Sequence, residues 1–418
     1  MTSPTDRAAT ERFPWLAILV LASAGFLALA VELSPAGLLT RIAPDLNASV
    51  AMAGSLTALY SLGNAILALP LTSLAVRFSR RFSLAGTLLV FVAGNALVVF
   101  ASDLLPALAG RFISGGAHGL LMSLAPAAAI GVAGLEHERR ALSIVIGANT
   151  VGIALGAPLA SLVGTALGWR ATFISAALLA LVCALLLAAK IPPLRAGQTR
   201  QMPLSQAIRQ PGVFRIGAGW MLMMLAYMAV LTYIDPYLAA LGAPPLLTIL
   251  SLFVFGTGGV AGVWLAGQIA ARSRLAALLS MPLLMAATLL LMSIGLTSIP
   301  VILVLLFVWG IGFSGLVMVW QQTLLLVGFR SPEKSMGIGV VLTQAGMAAG
   351  SALGGIVLDR FGVMATPLAG AVITVAALAL LIGISPILTA AETGRRAAAA
   401  VETTPHTDAV TAAASITD

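Results

Sequence analysis

An all-α membrane protein of twelve spans, arranged as two pseudo-symmetric six-helix bundles, is predicted by three features of this 418-residue chain. Hydrophobic residues make up 60% of it and charged residues 9%, against about 25% charged in a soluble domain. Its Lys and Arg residues are sorted between alternate loops. Its two halves also repeat one another.

A helix crossing a bilayer needs about 20 mostly apolar residues. With Gly, Pro and Arg as punctuation, twelve runs qualify: 14–39, 51–75, 82–102, 104–133, 141–166, 171–190, 214–240, 246–271, 275–297, 299–328, 335–358 and 364–390. The first run is longer than the apolar core of a signal peptide and no small-x-small site closes it, so it reads as a retained span. Basic residues and prolines gather between Lys190 and Arg215 and divide six spans from six. The expected organisation is a tail (1–13), an N-terminal bundle (14–190), a central loop (191–213), a C-terminal bundle (214–390) and a second tail (391–418). The second tail is rich in Ala and Thr and reads as disordered. Cys183 is a lone cysteine in an apolar run, which excludes a disulfide framework.

The net charge of +8 raises the question of nucleic acid, and its distribution answers it. Of 22 Lys and Arg, 18 fall on one side when loops alternate, in groups such as Arg77, Arg80 and Arg81 or Arg139 and Arg140. Arg41, Arg170 and Arg360 fall on the other side, and Arg111 lies inside a span. This is the positive-inside pattern, so both termini are expected in the cytoplasm and the protein in the cell's inner membrane, with no nucleic-acid partner.

The repeat has an offset of 194–195 residues. Gly152, Gly156, Ala160 and Gly168 recur as Gly346, Gly350, Gly354 and Gly362, and Tyr60 and Arg77 meet Phe255 and Arg272. A parallel six-plus-six repeat places a substrate site near the midplane between halves, with rocking as the natural motion.

Glu32 is the one acid inside a span and far from either membrane edge. An ionised carboxylate near a bilayer centre costs about 2.5–3.5 kcal/mol, so such groups face cavities and serve ion or proton pathways. Glu32 therefore reads as a proton carrier, against the plainer alternative of a packing acid hydrogen-bonded to a neighbour. His118 follows Arg111 by seven residues, two helical turns, so both share a helix face. Histidine suits proton relay; a packing histidine is the alternative. Arg111 either tunes the carboxylate or snorkels to the outer interface. Asp235, beside Pro236, is either exposed at the mouth of span seven or a second protonatable acid. Asn149, Gln321, Gln322, Gln344 and Tyr233 are candidate cavity-lining groups, although polar groups between spans are often packing glue. Trp15 and Trp169 read as interfacial anchors. The other histidines, His137 and His406, lie in a loop and in the tail, so no metal site is expected.

Four local patterns carry a resemblance. The first is Glu32-Leu-Ser-Pro35-Ala-Gly37-Leu-Leu, and the second the loop Thr72-Ser-Leu-Ala-Val76-Arg77-Phe-Ser79-Arg80-Arg81. The third is Arg111-Phe-Ile-Ser-Gly115, and the fourth Gly152-x-x-x-Gly156-Ala-Pro158 followed by Gly168-Trp169-Arg170. Together they resemble the major facilitator superfamily, over residues 14–390, and within it the twelve-span drug:proton antiporters and sugar-efflux permeases. The resemblance implies the major facilitator fold, gating roles for Arg77, Arg80 and Arg81, and proton relay around Arg111. It also implies a leak-proof hinge at Gly152, Gly156 and Pro158. Val76 stands where such proteins usually carry Asp, which weakens the expected latch.

The expected function is export of a small organic molecule (drug, sugar or nucleoside-like) in exchange for protons, by a monomer in the bilayer with no cofactor beyond the proton gradient. An uptake symporter of the same fold is the alternative. An enzyme is not expected, because no nucleophile–base pair, paired-acid motif or metal-ligand spacing appears. A transport-dead sensor is a third reading.

Overall fold

The computed structural model describes residues 13–75, 77–190, 212–294, 298–329 and 332–403. Val76, most of the expected central loop and the basic residues Arg7, Arg12, Arg195, Arg200, Arg209 and Arg330 lie outside them. Within the described residues the chain is helical throughout, and twelve helices are long and apolar enough to cross a membrane.

In order these are α1 (Trp15–Leu33), the short α2 (Leu39–Asp45), α3 (Val50–Ala75), α4 (Arg80–Val99), α5 (Leu104–Ala133), α6 (Glu138–Leu167) and α7 (Trp169–Lys190). The second half runs α8 (Val213–Leu231), the short α9 (Ile234–Ala240), α10 (Pro245–Arg272), α11 (Arg274–Ser293), α12 (Ile299–Val327), α13 (Pro332–Phe361) and α14 (Thr366–Leu381). A last helix, α15 (Ser385–Thr403), follows. All but α2, α9 and α15 are spans.

Packing repeats with the sequence. Within the N-terminal bundle α1 lies on α6, α3 on α5, and α4 on α5 and α7; the same pairs recur as α8 on α13, α10 on α12, and α11 on α12 and α14. Close backbone approaches recur too. A Cβ on Gly63 would sit 2.1 Å from the carbonyl oxygen of Phe112, and one on Gly258 would sit 2.1 Å from that of Phe307, each pair displaced by 195 residues. Small residues at these crossings let helices approach where lipid offers no hydrophobic drive to associate.

The halves meet through α3 against α13 and α6 against α10, two seams that the repeat exchanges. We call the end bearing α2 and α9 the distal end, and the opposite one, where α1 begins and α14 finishes, the terminal end.

Three boundaries differ from the sequence reading. The first span does not run straight to residue 39: it ends at Leu33, passes through a 3-10 turn at Ser34–Gly37, and restarts as α2. Pro35 is the cause, since it supplies no N–H to continue the ladder. The seventh span breaks at the matching place, between α8 and α9. The twelfth ends at Leu381, and Gly383, with φ of 73°, turns the chain into α15. Residues 391–403, expected to be disordered, continue that helix. Alanine has the highest helix propensity, and Arg274 holds Glu392 at 3.4 Å.

Candidate functional site

The helix break sets up the site. Pro35 deprives the Val31 carbonyl of its α-helical donor and the Glu32 carbonyl of a 3-10 donor. Arg111, from α5, replaces them. Its guanidinium donates to Val31 O at 2.8 Å, Glu32 O at 2.9 Å and Leu56 O of α3 at 3.0 Å. Ser34 shares Val31 O through its hydroxyl at 2.9 Å. Arg111 also lies 4.1 Å over the ring of Tyr60, whose hydroxyl donates to Ala28 O at 3.0 Å. Arg111 is 0% exposed, so it does not snorkel. It joins α1, α3 and α5 at the point where α1 stops.

Glu32 belongs to the last turn of α1 and is 3% exposed. Its carboxylate faces His118, with Nδ1 to Oε2 at 3.8 Å, too long for a direct hydrogen bond. Glu32 Oε1 and His118 Nδ1 are both buried with no hydrogen-bond partner. The carboxylate also looks across to the other bundle: the Gln344 side chain of α13 reaches it, and Tyr227 of α8 lies within its electrostatic range. Gln344 keeps its own Oε1 unpartnered.

The repeat exposes an asymmetry. At an offset of 195, Glu32, Tyr60, Arg111 and His118 correspond to Tyr227, Phe255, Leu306 and Phe313. The charged cluster of one bundle is an aromatic cluster in the other. Tyr227 stacks on Phe313 at 3.7 Å between centroids, and Trp309 tilts against Phe255 at 4.9 Å.

The remaining expected site residues fall in several places. Asn149 is half-buried on α6, with its Nδ2 at 3.8 Å from Met122 Sδ and its carboxamide pressed against Gly25 of α1. Gln321 and Gln322 are exposed on the last turns of α12, the latter donating to Met318 Sδ. Gly152 and Gly156 face α1: a Cβ would lie 2.9 Å from Phe26 O and 2.5 Å from Ala30 Cα respectively. Pro158 is buried inside α6 beyond them. Arg80 bonds Ala127 O at 2.6 Å, fastening α4 to α5 within one bundle; Arg81 lies 5.9 Å over Phe82, and Arg77 is exposed.

Of the two readings of Asp235, exposure at the mouth of span seven does not hold, and Tyr233 lies in the seam between the bundles. Asp235 is 7% exposed and holds Thr40 of the opposite bundle, and Tyr233 is 0% exposed. Trp169 is also no interfacial anchor. It is 4% exposed, and its indole N–H donates to Asp45 Oδ2 at 2.8 Å, beside Arg170 at 2.7 Å. The Trp169 bond holds the Asp45 carboxyl below the usual carboxylate range; slight burial opposes this and Arg170 adds to it.

Sequence reasoning missed Tyr60, Thr40 and Ser351 as partners. In the sequence Tyr60 stands out only as the mate of Phe255; Thr40 and Ser351 are small hydroxyl residues that no pattern singles out.

Two six-helix bundles around a buried, incompletely bonded acid at their meeting plane define a class of membrane transporters. The Major Facilitator Superfamily profile matches residues 16–350, and the chain belongs to that family. It is a multi-pass membrane transporter and not an enzyme. Transcription regulatory protein OpdE of Pseudomonas aeruginosa is 29% identical over 363 residues, 85% of this chain and 90% of that protein. The Probable sugar efflux transporter of Pasteurella multocida is 27% identical over 369 residues, 87% and 91% of the two chains. The purine ribonucleoside efflux pump NepI of Salmonella paratyphi B is 27% identical over 360 residues, 85% and 90%. Among solved structures, a bacterial homolog to the human lysosomal transporter Spinster shares the fold with a TM-score of 0.75 at 16% identity, covering 90% of this chain and 98% of that one. The D-xylose-proton symporter does so with a TM-score of 0.70 at 18% identity, covering 88% and 97%.

Proposed function

We propose that this protein exports a small organic molecule in exchange for protons by alternating access, working as a monomer in the inner membrane with both termini in the cytoplasm. The observation that carries the reading is the Glu32 carboxylate: 3% exposed, one oxygen without a partner, and 3.8 Å from His118. Glu32 takes up and releases the proton, His118 accepts or passes it, and Arg111 fixes the helix end that presents Glu32. Gln344 and Tyr227 bring the second bundle to the same carboxylate, so that proton and substrate compete for one place. Gly152, Gly156 and Pro158 keep α6 tight on α1, and the Arg77–Arg81 loop serves as the terminal-end gate. No cofactor beyond the proton gradient is needed.

The site's one buried acid favours neutral or cationic substrates over dianions. The names of relatives, sugar efflux transporter and purine ribonucleoside efflux pump, fit that range. The test is substrate-induced proton release from purified protein across sugars, purine nucleosides and cationic dyes. A hit should be exchanged for protons in proteoliposomes, and Glu32→Gln should abolish the release. Release that survives Glu32→Gln would refute the assignment. Uptake symport is the alternative direction, decided by whether substrate and proton move together or oppositely in vesicles. A sensor role is a further reading, favoured by the name of OpdE; ligand binding without flux would select it.

A further inference from the structure

Asp235 is buried at the distal end, with no ion-pair partner among the described residues. It accepts hydrogen bonds from the Thr40 backbone N–H at 2.9 Å and the Thr40 hydroxyl at 2.6 Å, both from the opposite bundle. Thr248 of its own bundle supplies a longer third at 3.4 Å. Thr40 and Asp235 stand 195 residues apart, the repeat offset itself. A residue that touches its own symmetry mate lies on the two-fold axis, so this contact sits where the pseudo-axis leaves the protein. Two identical threonines there would offer each other only neutral bonds. The replacement of one by Asp makes the bonds charge-assisted, about twice as strong.

The seam around it is sealed by further bonds between bundles. The Tyr233 hydroxyl donates to Ser351 O at 2.8 Å and lies 3.4 Å from Ala51 O, and the Ser351 hydroxyl donates to Gly54 O at 2.9 Å. A Cβ on Gly54 would lie 2.0 Å from the Tyr233 hydroxyl oxygen. These bonds close the seam between the bundles at the distal end.

We infer that Asp235 is the distal gate residue: its bonds to Thr40 hold the two bundles together on the distal side, and rocking to expose the site there must break them. When the bundles part, water replaces Thr40 at the carboxylate and the closed state loses its charge-assisted link. The role concerns which side is open, and it holds whether or not protons drive transport.

The test is reagent access in the full-length protein. A cysteine at position 36 (Ala36→Cys, in a Cys183→Ala background) reports on the seam, since Ala36 is 2% exposed and packs with core residues of the C-terminal bundle. A membrane-impermeant maleimide is applied from each face of reconstituted vesicles. Asp235→Ala removes both bonds from Thr40 and should speed distal-side labelling at position 36 by about a hundredfold, at roughly tenfold for each lost hydrogen bond to a charged group. Thr40→Val, which keeps the backbone N–H and loses one bond, should speed it by about tenfold, and the double variant should be no faster than Asp235→Ala alone. In parallel proteins that keep Ala36 and the native Cys183, 3% exposed in the N-terminal bundle, labelling of Cys183 is the control for unfolding. Labelling at position 36 that stays unchanged in Thr40→Val and Asp235→Ala would overturn the gate, as would a parallel rise at Cys183. Should Asp235→Ala fail to insert, the Thr40→Val result decides alone.

Discussion

Arg111→Lys separates two accounts of the buried arginine. If Arg111 serves Glu32 as a counter-charge, lysine keeps the charge and should suffice. If it works as a fork stitching a broken helix, lysine fails, because one ammonium cannot reach three carbonyls on two helices. The structure favours the fork: the guanidinium spends its bonds on Val31 O, Glu32 O and Leu56 O. Hydrogen bonds to charged groups contribute about 1.5–3 kcal/mol each. A lysine that keeps one of three therefore loses about 3–6 kcal/mol, less whatever water entering the site restores. Arg111→Met, which loses all three and the stacking on Tyr60, marks the lower limit. Thermal unfolding in detergent, followed by size-exclusion fluorescence, should place Arg111→Lys nearer to Arg111→Met than to wild type, with transport lost in both. Wild-type stability and exchange in Arg111→Lys would refute the stitching argument and return Arg111 to a purely electrostatic role.

Glu32→Gln keeps shape and hydrogen-bonding capacity but holds no proton; it should bind substrate and exchange it without accumulating it, as isotope counterflow against net uptake would reveal. Gly156→Val must displace α1, since even a Cβ would lie 2.5 Å from Ala30 Cα; overpacking of this kind costs about 1–3 kcal/mol. The variant should insert yet leak protons or stop exchanging, and tight, coupled antiport would dispose of the hinge. Asp45→Asn should lower stability only slightly, by less than about 1 kcal/mol, because the Arg170 pair is half exposed. The Asp45 pKa is depressed in the folded protein, so its contribution is full above the unfolded value near 3.9 and disappears as pH falls below it. Melting curves of wild type and Asp45→Asn should therefore converge only below about pH 4, and a difference that grew instead toward pH 8 would contradict the assignment.

The spans were legible because hydropathy and length are one-dimensional properties, and the repeat because close helix crossings demand small residues at fixed spacing. Glu32 and the neighbouring His118 were legible because charge inside an apolar run is rare. What the sequence concealed was direction. A span apolar all round does not say which face meets lipid, so Arg111 read equally as snorkelling or central until α1, α3 and α5 closed around it. Asp235 lies near a helix end in the sequence, which resembles a mouth. Only the fold brings the Thr40 hydroxyl and N–H to it from 195 residues away. The α15 helix was lost because an Ala- and Thr-rich tail looks like low complexity, although alanine is itself the strongest helix former.

The replacement of one bundle's charged cluster by aromatics in the other bears on energetics as well as geometry. Among the described residues the midplane holds one carboxylate, with Tyr227 at its symmetry-related position, and an exchange that used it alone would carry one proton per neutral substrate expelled. At 100 mV and one pH unit that proton delivers about 2.3 plus 1.4 kcal/mol. The sum of about 3.7 kcal/mol corresponds to a gradient of roughly 500-fold, at tenfold for each 1.4 kcal/mol. A pump of this design lowers the internal level of its cargo to a fixed fraction and stalls there. A second acid in place of Tyr227 is what a steeper gradient would require.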